Sequence, residues 1–153
     1  DTESKPLSQA VFEYSTIGVV RASVLQDDGT SHLVLQGLQR IRFVDWIDEK
    51  EYPYATIETI EPELFDRSKG DQLRKASLLL LDKLTEGNKG ISKTLVAALV
   101  DITDIDVFAD MFAQNVITNP YTRQHFLECI NPCERLELLI RHLTNLVRQE
   151  RSS

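Results

Sequence analysis

The spacing of apolar residues along the chain changes once, near Glu61-Pro62. Before that point it follows the period of two that marks strands, because successive side chains of an extended chain point to opposite faces. Thr16 to Leu25 is rich in β-branched and small apolar residues, with Val20, Ala22 and Val24 in alternate positions. Gln26-Asp27-Asp28-Gly29-Thr30 is a hairpin signal, since Asp and Gly tolerate the positive φ angles of a tight turn. His32 to Gln36 predicts the returning strand, and Gly37 interrupts it as a bulge or a close backbone approach. Gln39 to Ile47 predicts a third run, with Ile41 and Phe43 on one face and Arg40, Arg42 and Val44 on the other. Tyr54 to Glu61 predicts a fourth, with Ala55 and Ile57 facing opposite to Thr56 and Glu58.

Beyond Pro62 the period becomes helical. Asp71 to Thr85 carries Leu73, Ala76, Leu80 and Leu84 at helical spacing, and Leu78 to Leu81 widens that stripe into a helix buried on more than one side. Gly87-Asn88-Lys89-Gly90 breaks it, and Ser92 can cap a helix holding Leu95, Val96, Leu99 and Val100. Thr103 or Asp104 opens the next, whose stripe is Ile105, Phe108, Phe112 and Val116. The last two helices start at Asn119-Pro120 and Asn131-Pro132, where Asn supplies a capping oxygen and Pro fills a position whose N–H has no helical partner. Asn131 with Glu134 also resembles a capping box. Leu136, Leu139, Ile140, Leu143 and Val147 form the final stripe. The pattern predicts an α+β chain: an antiparallel sheet or part-barrel over residues 1–62, then a bundle of about five helices over 63–153.

Composition narrows the function classes. With 42% hydrophobic and 27% charged residues, the 153-residue chain is an ordinary globular sequence. Its net charge of −7 counts against a dedicated nucleic-acid binder, because phosphate neutralisation needs a basic field. No apolar run approaches the roughly 18 to 20 residues that span a bilayer, so no membrane association is expected. Two cysteines provide no disulfide framework, which makes a reducing cytoplasm the expected compartment.

One stretch is more specific. Ile17-Gly18-Val19-Val20-Arg21-Ala22 leads through the Asp-Asp-Gly turn into Leu33-Val34-Leu35-Gln36-Gly37-Leu38-Gln39-Arg40-Ile41-Arg42-Phe43. This resembles the N-terminal domain family of Lon-type ATP-dependent proteases, as do the Tyr-Pro-Tyr strand toward Glu58 and the helix start Asn131, Glu134, Arg135, Leu136. The resemblance runs from about Ile17 to Arg148, and Gly37 to Arg42 is its most specific part. It implies a β-rich subdomain like the pseudouridine-synthase (PUA) barrel, joined to a helical subdomain. The opening strands of that family are not matched by Asp1 to Tyr14, so the barrel is expected to be incomplete, with strand edges and apolar faces left open.

The motifs that could carry chemistry have structural explanations. Gly87 to Thr94 has Ser92 where a phosphate-binding loop needs its second Gly, and it follows a helix instead of a strand. His125, Cys129 and Cys133 are spaced by four, yet Pro132 breaks the phase and a fourth zinc ligand is lacking, so structural thiols are expected. Asp104 with Asp106 and Asp27 with Asp28 read as caps, turns or solvated faces. No catalytic residue, metal or cofactor is expected. Trp46, Tyr52 and Tyr54 cluster around a turn, where they form either a peptide-binding surface or a packed junction, and Arg40 and Arg42 lie on one strand face as ligand contacts or ordinary solvated charges. The resemblance implies recognition of unfolded or regulatory polypeptides by a non-catalytic module, within a Lon-type protease or a stand-alone protein carrying this domain; the residues themselves nominate Trp46, Tyr52, Tyr54, Arg40 and Arg42 as candidate contacts. A structural element that lets a parent protein oligomerise is the alternative, and RNA binding by the barrel a third.

Overall fold

Alternating and β-branched residues between Tyr14 and Thr59 form three strands of one antiparallel sheet in the computed structural model of the protein, which describes residues 11–47, 52, 54–86 and 93–150. The chain divides into two compact units, Asp1–Glu61 and Pro62–Ser153. The strands are β1 (Tyr14–Leu25), β2 (Ser31–Ile47) and β3 (Tyr54–Thr59), in the order β1-β2-β3. The four strand runs of the sequence become three strands among the described residues, because the runs on either side of Gly37 are one continuous β2.

The pairing shows how Gly37 is absorbed. Ile17 pairs with Gln39 and Gly18 with Gly37, so Leu38 is an extra residue bulged out of β2. A Cβ on Gly18 would fall 2.3 Å from the carbonyl oxygen of Gln36, so only glycine allows the strands this approach. Arg21 is the extra residue of a second bulge in β1, and Val44 of a third in β2. At the hairpin tip Gly29 takes φ +84°. Asp28 fastens the turn by accepting from the N–H and hydroxyl of Thr30 at 2.9 and 2.7 Å. Those bonds hold its carboxyl below the usual carboxylate value. The sheet is open and not closed into a barrel; among the described residues β1 and β3 form its edges.

Five helices follow among the described residues: α1 (Arg67–Glu86), α2 (Lys93–Val100), α3 (Ile105–Val116), α4 (Pro120–Glu128) and α5 (Pro132–Glu150). The break at Gly87 to Gly90 and the Ser92 cap lie outside the described residues. α1 begins four residues before the expected Asp71, because Asp66 Oδ1 accepts from the N–H groups of Ser68 and Lys69 at 2.8 and 3.3 Å. Asp104 caps α3 through Val107 N at 3.0 Å, and Asn119 caps α4 through Thr122 N at 3.0 Å. Asn131 serves α5 in the same way, accepting from the N–H groups of Cys133 and Glu134 at 3.0 and 3.3 Å.

The helical stripes meet in one core. Leu81 and Leu84 of α1, Phe108 and Phe112 of α3, and Leu136 and Leu139 of α5 are fully buried within it. The rings of Phe108 and Phe112 meet edge to face with centroids 5.6 Å apart. Each such side chain contributes about 1.5–3 kcal/mol by leaving water. Two arginines close helix ends: Arg74 donates to the carbonyl of Ile102 at 2.7 Å and to that of Val100, and Arg123 donates to the carbonyls of Ile117 and Gln114.

Candidate functional site

The pairing register settles which side chains share a face of the sheet, because residues directly opposite in an antiparallel pair point the same way. Val20 stands opposite Leu35, Ser23 opposite Leu33, Leu25 opposite Ser31, and Gly18 opposite Gly37. On this face four aliphatic side chains lie open: Val20 at 58%, Leu25 at 73%, Leu33 at 53% and Leu35 at 66% exposure. Only serines and glycines lie among them. The single charge within β1, Arg21, donates to Gln36 Oε1 at 2.7 Å, and Gln36 is on the opposite face.

Following the regular part of β1 from Val20 back to Tyr14 leads to Thr16 opposite Arg40 and Tyr14 opposite Arg42. The aliphatic stripe, Arg40 and Arg42 therefore share one side of the sheet. Arg40 is buried, so it is not the ordinary solvated charge that was one of its two readings. Arg42 donates to Glu58 Oε1 at 2.5 Å and lies 3.4 Å from Glu13 Oε1. The hydrogen bond and charge of Glu58, then the charge of Glu13, push its pKa up. Its charge is thus largely offset within the sheet.

The aromatic candidates divide between faces. Tyr54 pairs with Ile47 on the side of Arg42 and Glu58, and its ring lies 5.9 Å from that of Tyr52. Both tyrosines are exposed. Trp46 pairs with Ala55 and packs on Phe43, ring centroids 4.8 Å apart, on the side of Ile41 and Ile57. The bulge at Val44 causes the split: one extra residue inverts the parity of everything after it. Four of the five sequence candidates thus lie on or beside the face of the stripe, and Trp46 lies on the other.

The stripe itself went unnamed as a site in the sequence. The signal was there in Leu33-Val34-Leu35, three consecutive apolar residues on a strand expected to alternate. Such a run puts apolar side chains on both faces, and among the described residues both stay exposed here: Leu33 and Leu35 on one, Val34 on the other.

In the helical unit, His125 and Cys129 line an open groove of about 500 Å³ with Glu128, Glu134, Glu137, Leu138 and Arg141. Cys133 is buried away from it, its Sγ 3.8 Å from the carbonyl oxygen of Asp66, and burial pushes its thiol pKa up. The three residues weighed as zinc ligands are therefore separated, and no group of three or more His, Cys, Asp or Glu among the described residues could hold a metal ion. Asp104 is a helix cap and Asp106 pairs with Arg135, which accounts for that carboxylate pair structurally.

Comparisons with known proteins converge on one family. The family model described as the ATP-dependent protease La (LON) substrate-binding domain matches residues 1–145. Lon protease of Buchnera aphidicola is 32% identical over 137 residues, covering 89% of this chain and 17% of that protein. Lon protease of Dictyoglomus thermophilum is 27% identical over 139 residues, covering 91% of this chain and 18% of that protein. The chain spans under a fifth of the length of these relatives. Among solved structures, the N-terminal domain of the Mycobacterium avium complex Lon protease superposes with a TM-score of 0.68 at 16% identity, over 86% of this chain and 70% of that one. A Lon N-terminal domain protein from Xanthomonas campestris superposes with a TM-score of 0.57 at 18% identity, over 85% and 68%. These two likenesses establish the shared fold.

Proposed function

We propose that this chain, which belongs to the ATP-dependent protease La (LON) substrate-binding domain family, holds polypeptide segments on the face of its sheet that carries Val20, Leu25, Leu33 and Leu35, for a Lon-type degradation machine. The domain is non-catalytic, a substrate-binding part of a protease family. The observation that carries the reading is the uncovered aliphatic stripe of Val20, Leu25, Leu33 and Leu35, beside a strand edge. Contiguous apolar surface left in water marks an interaction site, and an unfolded segment offers apolar side chains to cover it.

A shallow, half-hydrated face binds weakly, which suits a domain that must release its cargo onward. Past the buried Arg40 and the paired Arg42 on the same side, exposed Tyr54 with Tyr52 beside it forms the far end of the proposed surface. Trp46, on the opposite face and packed on Phe43, is proposed as a packing residue.

The alternative of a structural or oligomerisation element drew on long helical stripes in need of partners. Those stripes pack on one another inside the second unit, which weakens that support. The acidic charge weighs against RNA. Reduced thiols at Cys129 and Cys133 suit the cytoplasm, which we propose as the compartment.

The test is fluorescence anisotropy of a labelled, permanently unfolded reporter titrated with the full chain, alongside light scattering. Saturable micromolar binding to a non-assembling chain is expected. Concentration-dependent assembly with no reporter binding would reverse the order of the two readings.

A further inference from the structure

The negative charge of the chain is shared unevenly. Residues 1–61 hold eleven acidic and five basic side chains, net −6, whereas residues 62–153 hold thirteen and twelve, net −1. The unit with the aliphatic stripe therefore carries nearly the whole charge. Its hairpin tip adds two exposed carboxylates, Asp27 and Asp28, immediately beyond Leu25 at the end of the stripe. At the other end Arg42 is offset by Glu58 and Glu13.

Among the described residues β1 is a sheet edge, and an unusual one. Long edge strands commonly carry Lys, Pro or inward charges that prevent pairing with another chain. β1 has twelve residues, no Lys or Pro, and one charge, Arg21, which Gln36 holds over the opposite face. A strand added along this edge would lay alternate side chains next to Val20 and Leu25. There an aliphatic residue gains by burial, whereas a charged one loses its hydration.

We propose that the stripe and the β1 edge select extended aliphatic segments that carry basic flanking residues, and reject equally apolar segments with acidic flanks. This rests on the polypeptide-binding reading above and names its substrate class. Charge complementarity decides among the occupants of the face. A second copy would bring another net −6 to the same place, and a nucleic acid would bring phosphates. A basic-flanked aliphatic segment satisfies both the face and the field.

Fluorescein-labelled peptides of twelve residues, titrated with the full chain by anisotropy, test this. One alternates Val and Thr with Lys at its ends, a second has Glu at its ends, and a third keeps Lys but replaces Val by Ser. At about 20 mM salt the Lys–Val peptide is expected to bind at least roughly tenfold tighter than the Glu–Val peptide. The gap should close at about 0.5 M salt, where the screening length is a few ångströms. Asp27→Asn with Asp28→Asn should shrink the gap, while Val20→Thr with Leu35→Gln should weaken both Val peptides. All these sites are exposed, and circular dichroism is the check that the variants fold.

Equal affinity for Lys and Glu ends overturns the proposed selection while leaving polypeptide binding intact. Undiminished Lys–Val binding by the Val20→Thr, Leu35→Gln variant, or equal binding of the Lys–Ser peptide, overturns the stripe as the site. A dimer that Leu35→Gln dissociates, with no peptide bound, overturns it in favour of a second copy. Failure of the unfolded reporter itself to bind would instead defeat the broader reading.

Discussion

Arg135 on α5 is fully buried, and its guanidinium donates to the carboxylate of Asp106 on α3. Asp110, one turn further along α3, takes the other arm. A single buried cation thus joins two helices through carboxylates four residues apart, the spacing that places both on one helix face. Asp106 and Asp110 keep side-chain exposures of 27% and 50%, whereas Arg135 has none.

That asymmetry predicts unequal costs. Asp106→Asn with Asp110→Asn leaves a buried cation uncompensated and should destabilise the chain by about 3–5 kcal/mol in urea unfolding. Arg135→Met leaves carboxylates that water can reach, so it should cost clearly less. Equal losses would show that the ion bridge is not what the buried guanidinium depends on.

Gly70 sits inside α1, where Ala is normally better by about 1 kcal/mol. Here an added Cβ would meet side-chain atoms of Phe65 and Ile105, each at 3.1 Å. Gly70→Ala is therefore expected to yield no stabilisation and a lower thermal midpoint. A rise of several degrees would contradict the close packing of α1 against those two residues.

The two thiols should differ in reactivity. Cys129 is half-buried and lines the groove with His125, whereas Cys133 is buried with its pKa raised above the ordinary 9.0, chiefly by desolvation. Timed iodoacetamide labelling read by mass spectrometry should modify Cys129 first. The raised pKa also has a sign for stability. Below the unfolded thiol's value the native state keeps its full contribution, and it loses it as pH climbs from about 9 through the folded value. Cys133→Ala should flatten that alkaline decline, and an unchanged decline would assign it to other groups.

Much of this architecture is readable in the sequence because it follows from local rules. The hairpin at Asp28-Gly29, the bulge at Gly37 and the Asn-Pro helix starts each depend on residues within a few positions. What escapes has a non-local or a parity cause. Arg135 reads as a surface charge until Asp106 and Asp110, 29 and 25 residues away, are brought beside it. The first turn of α1 holds Arg67, Lys69 and Gly70 with no apolar residue, so its start is visible only through the Asp66 cap. Arg42, Val44 and Trp46 look alike in a strand of period two, but the bulged Val44 sends Trp46 to the face opposite Arg42. The stripe is hidden for a different reason: exposure of Val20 and Leu35 depends on what packs over their face, which no local pattern records.

Whether the sheet face of Val20 and Leu35 or the helical unit holds polypeptide is decided by hydrogen–deuterium exchange with and without a saturating unfolded reporter. Strand addition satisfies backbone N–H groups along β1 and side-chain burial slows opening of the hairpin. Protection is therefore expected across Tyr14–Leu25 and in β2 around Leu33 and Leu35, with the helices unchanged. Protection confined to the helices between Arg67 and Glu150, with β1 exchanging as before, would contradict binding on the sheet face.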